Sequence, residues 1–207
     1  MGRGHGLLIW WLCCVLALPA VAGQTATYVV RRGDNLTLIG HRLGVTVDAL
    51  RRANGLGSDL IHIGQRLRVQ NPLAGLDAGD PTWLCPLREP GEILRGFGPY
   101  ASGGVLMPST GVDVACRRSA AVRAPATGVV RHLGQVEGFG LVVIIEHAAG
   151  RATVLAPLRN PRVEVGQAVL RGDLLGEAGE PPVAGPDYLH IELRRQNKAI
   201  DPAPLLP

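Results

Sequence analysis

Residues 186–195 read "PDYLHIELRR", a run in which polar and apolar residues alternate around His190. Side chains two apart on a strand point to the same face, so Tyr188 and His190 are expected to lean into one cleft. A His-x-His pair in that place would supply a metal ligand and a catalytic base. This chain has half of the pair, with tyrosine as its first member.

Working outward from this run, the chain is β in character from about Trp83 onward. "TGVV", "LVVIIEH", "ATVLAPL", "PRVEVGQAVL", "DLLGEAG" and "YLHIEL" are short β-branched or leucine-rich segments separated by Gly, Pro, Asn and Asp. No helical period is sustained there, which predicts an all-β, sandwich-like domain over 83–207. Residues 70–82, "QNPLAGLDAGDPT", have no periodicity and predict a linker. Residues 27–69 follow another grammar, that of a small βααβ module of the α+β class. A β-prone run at Tyr28 is followed by Asp34 as expected N-cap of a helix with Leu36, Ile39 and Leu43 on one face, closed by Gly44. Thr46 caps a second helix that ends at Asn54-Gly55, and Gly64 turns the chain into a strand with Leu67 and Val69 on one side.

The first 23 residues, "MGRGHGLLIWWLCCVLALPAVAG", read as an export signal: Arg3, an apolar core from Leu7 to Leu18, and Ala20-Val21-Ala22 as a small-residue cleavage site. The apolar run is shorter than the roughly 20 residues that span a bilayer, so no stable membrane anchor is expected after cleavage. Cys13 and Cys14 lack the small residue that a lipid-attachment site places before its cysteine. The expected compartment is the periplasm. It is oxidising, and the two cysteines that remain, Cys85 and Cys116, are expected to form a disulfide. The net charge of +4 reflects 21 basic against 17 acidic residues, and every basic residue but Lys198 is arginine. These arginines are scattered, with no aromatic-interleaved basic stretch, which excludes nucleic acid as the expected partner.

The module at 27–69 resembles a LysM domain. The resemblance is carried by Tyr28-Val29, Gly33-Asp34-Asn35-Leu36, Asn54, and Ile61-His62-Ile63-Gly64-Gln65-Arg66-Leu67. It implies binding of N-acetylglucosamine-containing glycan, in peptidoglycan, by a groove built from Gly33, Asp34, Asn35, Leu36, Leu60 and Ile61. Thr37 stands where that family often has an aromatic residue.

Nearly all of 91–202 resembles the LytM-type, lysostaphin-like metallopeptidase domain. "GFGPY", "GVDVAC", "VRAPATGVV", "GFGLVVIIEH", "VEVGQAVLRGDLLGEAG" and "YLHIELRRQNKAIDP" fall in the order of its pieces. Active members hold zinc with the histidine and aspartate of His-x-Gly-x-Asp and the second histidine of His-x-His; two further histidines assist water attack. Here Ser109 replaces the first ligand, Asp113 is kept, Pro157 replaces one assisting histidine, Tyr188 the other, and His190 is the second remnant ligand. A zinc enzyme needs about three protein ligands and an open position. Two remain, while serine is a poor ligand, proline offers no base, and tyrosine has an ordinary pKa of about 10. His132 and His147 fall in no ligand motif.

The joint arrangement resembles the NlpD and EnvC group of cell-division factors. This implies no enzyme activity, no cofactor and no metal. It also implies an N-acetylmuramoyl-L-alanine amidase as partner, captured by a groove of Ser109, Asp113, Pro157, Tyr188 and His190, with Arg131 or Arg194 on its rim. The alternatives are a zinc-dependent endopeptidase with a non-standard site and a plain wall-binding protein. A biotin- or lipoyl-carrier reading of "APATGVV" and "VEVGQAVLRGDLL" fails because the only lysine, Lys198, lies near the C-terminus, far from the turn between those two halves.

Overall fold

Period-2 alternation decides both ends of the N-terminal module. β1 (Thr25–Val29) buries Ala26 and Tyr28, β2 (Arg66–Gln70) buries Leu67 and Val69, and the two strands pair antiparallel with Tyr28 opposite Leu67. Two helices cover this hairpin, α1 (Leu36–Leu43) and α2 (Val47–Asn54), with Leu36, Ile39, Leu43 and Leu50 at the contact. Gly44 and Gly55 close them in the left-handed conformation, as expected. Thr46 caps α2 as expected, but the cap of α1 is Asn35, whose side-chain oxygen accepts from Leu38 N at 2.7 Å. Asp34 is turned inward instead, accepting from Tyr28 Oη and Arg31 N at 2.8 Å each.

This computed structural model describes residues 24–76, 83–102, 105–182 and 185–207. The export segment expected at 1–23 lies outside the described residues. Of the stretch expected as a linker, residues 71–76 fold back on α1: Leu73 N donates to Leu43 O at 2.7 Å, Gly75 N donates to Gly44 O at 2.9 Å, and Leu73 is buried. A side chain at position 75 would place its Cβ 2.6 Å from Gly44 O, which is why this return needs glycine. Among the described residues no helix is long and apolar enough to cross a membrane.

The remainder is all β, as the alternating segments predict. Its strands are β3 (Ile93–Arg95), β4 (Gly98–Ser102), β5 (Val105–Ser109), β6 (Val112–Ala115), β7 (Ala121–Arg123), β8 (Gly128–Val136), β9 (Gly140–His147) and β10 (Arg151–Ala156). They are followed by β11 (Leu158–Arg159), β12 (Ala168–Val169), β13 (Leu174–Ala178), β14 (Tyr188–Arg195) and β15 (Lys198–Ile200). The main sheet runs in the order β12-β8-β9-β10-β14-β6-β3, with β15 on β14; β11, β13 and β7 form a second sheet, and β4 and β5 a two-stranded arm. Val112, Val130, Ile145, Leu155, Leu189 and Ile191 of the main sheet pack on Val122, Leu158 and Leu175 of the second. This is the sandwich-like layering expected.

The two units share packing. Val129 and Ala168 lie in the same apolar cluster as Tyr28 and Leu67, Thr27 N donates to Gly166 O at 2.8 Å, and Thr27 forms a parallel bridge with Gln167. The N-terminal hairpin, a two-stranded sheet of its own, thus abuts the main sheet at its β12 end.

Cys85 and Cys116 are free thiols, which corrects the expected disulfide. Their backbones are tied to different partners: Leu84 N and Arg123 N bond with Pro125 O and Pro86 O on one side, and Cys116 N donates to Asp187 O on the other. Burial raises both thiol pKa values, that of Cys116 to about 11 with Asp187 adding to the effect, so neither is thiolate at neutral pH.

His147 is a core histidine. Its Nδ1 lies 2.9 Å from Thr127 O, its Nε2 lies 2.9 Å from Thr153 Oγ1, and Trp83 meets it edge to face. Burial lowers its pKa to about 4, against the opposing pull of the Thr127 carbonyl and with a smaller push from Arg151. The folded ring stays neutral while the unfolded ring, near 6.5, takes a proton. Its contribution is complete above about pH 6.5 and is lost as pH falls toward 4, about 3 kcal/mol in all. Urea unfolding followed by Trp83 fluorescence between pH 7 and 4 should show this loss, and His147→Asn should flatten the pH dependence by about one proton.

Candidate functional site

The opening stretch 186–195 supplies the floor of a cleft at the far end of the main sheet. β14 pairs with β10 on one side and β6 on the other, placing Ala156 and Asp113 opposite His190. Leu189, Ile191 and Leu193 face the sandwich core, so Tyr188, His190, Glu192 and Arg194 share the opposite face. His190 Nδ1 lies 2.6 Å from Asp113 Oδ1, confirming that these two residues meet. His190 Nε2 lies 3.4 Å from Glu192 Oε1, and Arg194 Nη1 donates to Glu192 Oε2 at 2.6 Å. Thr110 Oγ1 donates to Glu192, and Arg95 Nε is 3.4 Å from Asp113 Oδ2.

This is an alternating line of charge: Arg95, Asp113, His190, Glu192, Arg194. Asp113, His190, Glu192 and Arg194 are buried. Burial by itself would lower the His190 pKa, but bonds to Asp113 and Glu192 outweigh it and carry the ring to about 9. At neutral pH His190 is therefore an imidazolium donating from both nitrogens. Burial would raise the Glu192 pKa, and the His190 bond and charge, with Thr110 and Arg194, pull it below the usual carboxylate range. Sequence reasoning missed Glu192 and Thr110, and placed Arg194 on the rim rather than buried on Glu192. The signal was present in the opening stretch, since Glu192 and Arg194 continue the two-residue spacing from Tyr188 and His190.

The site does not fit zinc. Both remnant ligands are spoken for: Asp113 by His190 and Arg95, and His190 by two carboxylates. Ser109 Oγ donates to Gly111 O at 2.7 Å. Among the described residues no group of three or more His, Cys, Asp or Glu side chains is placed to hold a metal ion.

The other expected groove residues fall as follows. Pro157 follows Ala156, opposite His190, and is buried, its Cβ only 3.1 Å from where a Cβ on Gly140 would lie. It shapes the wall without exposing surface. Tyr188 is half-buried, with its hydroxyl pKa raised by burial and then by Asp113. Phe139, on the turn between β8 and β9, meets the His190 ring at 5.3 Å, and Arg95 sits 4.8 Å over the Tyr100 ring. Neither Arg131 nor Arg194 is a rim cation: Arg131 pairs with Glu146 at 2.6 Å and Arg194 is buried on Glu192. Arg95, about half exposed, takes that place.

In the N-terminal module the loops 30–35 and 56–65 leave and enter neighbouring strands at one end. Val29 pairs with Arg66, Val30 N donates to Gln65 O at 2.9 Å, and Gly64 N donates to Val30 O at 2.8 Å. Gly33 and Asn35 are exposed, Ile61 is half-buried, and Leu60 is 69% exposed. Ile63, which the sequence reading omitted, is 72% exposed beside them. Leu36 is buried because the helical spacing to Ile39 and Leu43 turns it to the core. The Asp34 side chain, also expected at the groove, is only 3% exposed. Neither presents its side chain to a ligand.

Residues 28–70 match the LysM domain family and residues 107–202 match peptidase family M23. The chain is 27% identical to the uncharacterized lipoprotein YgeR of Escherichia coli over 88% of its own length and 81% of that protein. To the lipoprotein NlpD/LppB homolog of Pseudomonas aeruginosa it is 28% identical, over 91% of this chain and 78% of that one. To the murein hydrolase activator EnvC of Escherichia coli it is 30% identical over 64% of its length, spanning 30% of that protein. Among solved structures, a zinc containing peptidase from Vibrio cholerae superposes with a TM-score of 0.56 at 24% identity, over 72% of this chain and 45% of that chain. That likeness establishes the fold.

The buried charge line generates a stability prediction. Glu192→Ala removes the carboxylate that pairs buried Arg194 while His190 keeps Asp113, and breaking such a buried pair typically costs about 3–5 kcal/mol. Chemical unfolding at pH 7 should show a loss of that order, and added zinc should not raise the melting temperature of the unaltered protein.

Proposed function

We propose that this chain, a LysM domain followed by a LytM-type domain in the arrangement of the NlpD and EnvC group, binds peptidoglycan and activates an N-acetylmuramoyl-L-alanine amidase without cutting the wall itself. The observation that carries the reading is the donor set: Asp113 and His190 meet at 2.6 Å, while Ser109, Pro157 and Tyr188 offer neither a good third zinc ligand nor a base at neutral pH. Relatives bearing the names NlpD/LppB and murein hydrolase activator EnvC support the activator role. The lipoprotein relatives support an envelope location, and the export signal read at residues 1–23 makes the periplasm the compartment.

The cleft suits capture more than chemistry. Its buried charges are paired within the protein, with Arg95 left as the exposed cation, while Tyr188, Tyr100 and Phe139 offer rings at its edges. A half-buried tyrosine gives a rigid amphipathic anchor, and Arg95 supplies a cation for an acidic side chain on the partner. Capture of an amidase segment that blocks its own active site would shift that enzyme toward its open form. In the LysM module, Gly33, Asn35, Leu60, Ile61 and Ile63 form the proposed glycan contact.

The test uses purified protein on labelled sacculi, alone and with each amidase of the same cell. Alone it should release no muropeptide; with its amidase it should. Tyr188→Ala should weaken activation about thirtyfold, the cost of a central anchor of about 2 kcal/mol, with sacculus binding unchanged. Metal-dependent digestion by the protein alone, abolished by Asp113→Ala, would overturn the reading in favour of an endopeptidase.

A further inference from the structure

We propose that the glycan groove of the LysM module is completed by the second domain, whose Asp173 and Glu164 act as positioning residues for its two loops. The inference rests on the glycan reading above. An arginine stands at the root of each loop. Arg31 follows β1 into the first, and Arg66 opens β2 where the second ends. Each is met by a carboxylate of the other domain. Arg31 Nη1 and Nη2 donate to Asp173 Oδ1 and Oδ2 at 2.5 Å each, a two-point fork, and Arg66 pairs with Glu164.

The Asp173 end is fixed, since its Oδ2 also accepts from Leu170 N at 2.7 Å and its backbone carbonyl accepts from Ala124 N at 2.8 Å. The Arg31 end is connected to the loop. Arg31 N donates to Asp34 Oδ2, Asp34 N donates back to Arg31 O at 3.1 Å, and the next residue, Asn35, caps α1. Position imposed on the Arg31 guanidinium is thus carried to Gly33 and Asn35. The bridge of Thr27 to Gly166 and Gln167 holds the strand from which the first loop departs.

A surface ion pair contributes little to global stability. Its effect here is local: two loops held in place before binding lose less freedom when a sugar chain arrives, which raises affinity. Linkage makes the effect reciprocal, so glycan binding tightens the contact between the domains. The groove lies beside the β12 end of the main sheet and the Tyr188–His190 face at its β14–β6–β3 end, so the contact between the domains fixes the orientation of one relative to the other.

The experiment compares the full protein with Asp173→Asn, Glu164→Gln and the double variant. Neither position lies in the groove, and asparagine keeps an acceptor for Leu170 N. Calorimetric titration with hexa-N-acetylchitohexaose and hydrogen exchange of the 31–35 amides without ligand are the two readouts. The double variant should bind at least about fivefold more weakly. It should exchange faster at 31–35 while the amides of β9 and β10 keep their protection. Variants that are folded by circular dichroism and keep both wild-type affinity and wild-type exchange overturn the proposal. If the unaltered protein takes up no oligosaccharide, the glycan reading falls and exchange decides alone: faster exchange upholds the positioning of the loops, unchanged exchange overturns it. Glu164→Gln, on an exposed pair, provides the same comparison should Asp173→Asn fail to fold.

Discussion

A buried strand that carries charge must neutralise it, and β14 does so along one face. Its inner residues, Leu189, Ile191 and Leu193, are committed to the sandwich core, so His190, Glu192 and Arg194 have only one side on which to find partners. Asp113 from β6 and Arg95 from β3 complete the sequence of alternating charge. Each strand that contributes is held at the register that brings its charged group opposite the next. The order β14-β6-β3 at that end of the sheet is bound up with this chain of ion pairs as much as with backbone bonding.

That constraint separates fold from chemistry. A LytM-type scaffold brings an aspartate and a histidine together at adjacent strands whether or not a metal is used. In this chain the bond from His190 to Glu192, and the positive charge that it stabilises, convert a coordinating nitrogen into a donor. Ser109 turns to the Gly111 carbonyl and Pro157 is absorbed into the wall. Beside them lie the rings of Tyr100 and Phe139 and the exposed side of Arg95.

At the opposite end of the sheet, the same logic operates with exposed rather than buried charge. Arg31 and Arg66 meet Asp173 and Glu164 at the flanks of a contact whose centre is apolar, with Val129 and Ala168 beneath Tyr28 and Leu67. The module abuts the β12 edge of the main sheet through the Thr27–Gln167 bridge, so part of that strand edge is covered.

The sequence by itself determined the local elements. Alternation set which residues of β1, β2 and β14 face inward, and the helix faces, the Thr46 cap and the two glycine stops were legible because they depend on spacing over a few residues. Positions 109, 157 and 188 could be singled out for a similar reason, since each sits in a short motif. Tertiary structure decided what spacing cannot carry. Asn35 rather than Asp34 caps α1, because Tyr28 and the Arg31 amide claim the aspartate. Cys85 and Cys116 are free thiols in segments whose backbones are bonded to different partners, Pro125 and Arg123 in one case and Asp187 in the other. Glu192 was in plain sight, yet its meaning depended on Thr110, 82 residues away. Arg31 found its partner at a separation of 142 residues. Long-range pairing is chosen by the packing of the whole chain, and no local period records it.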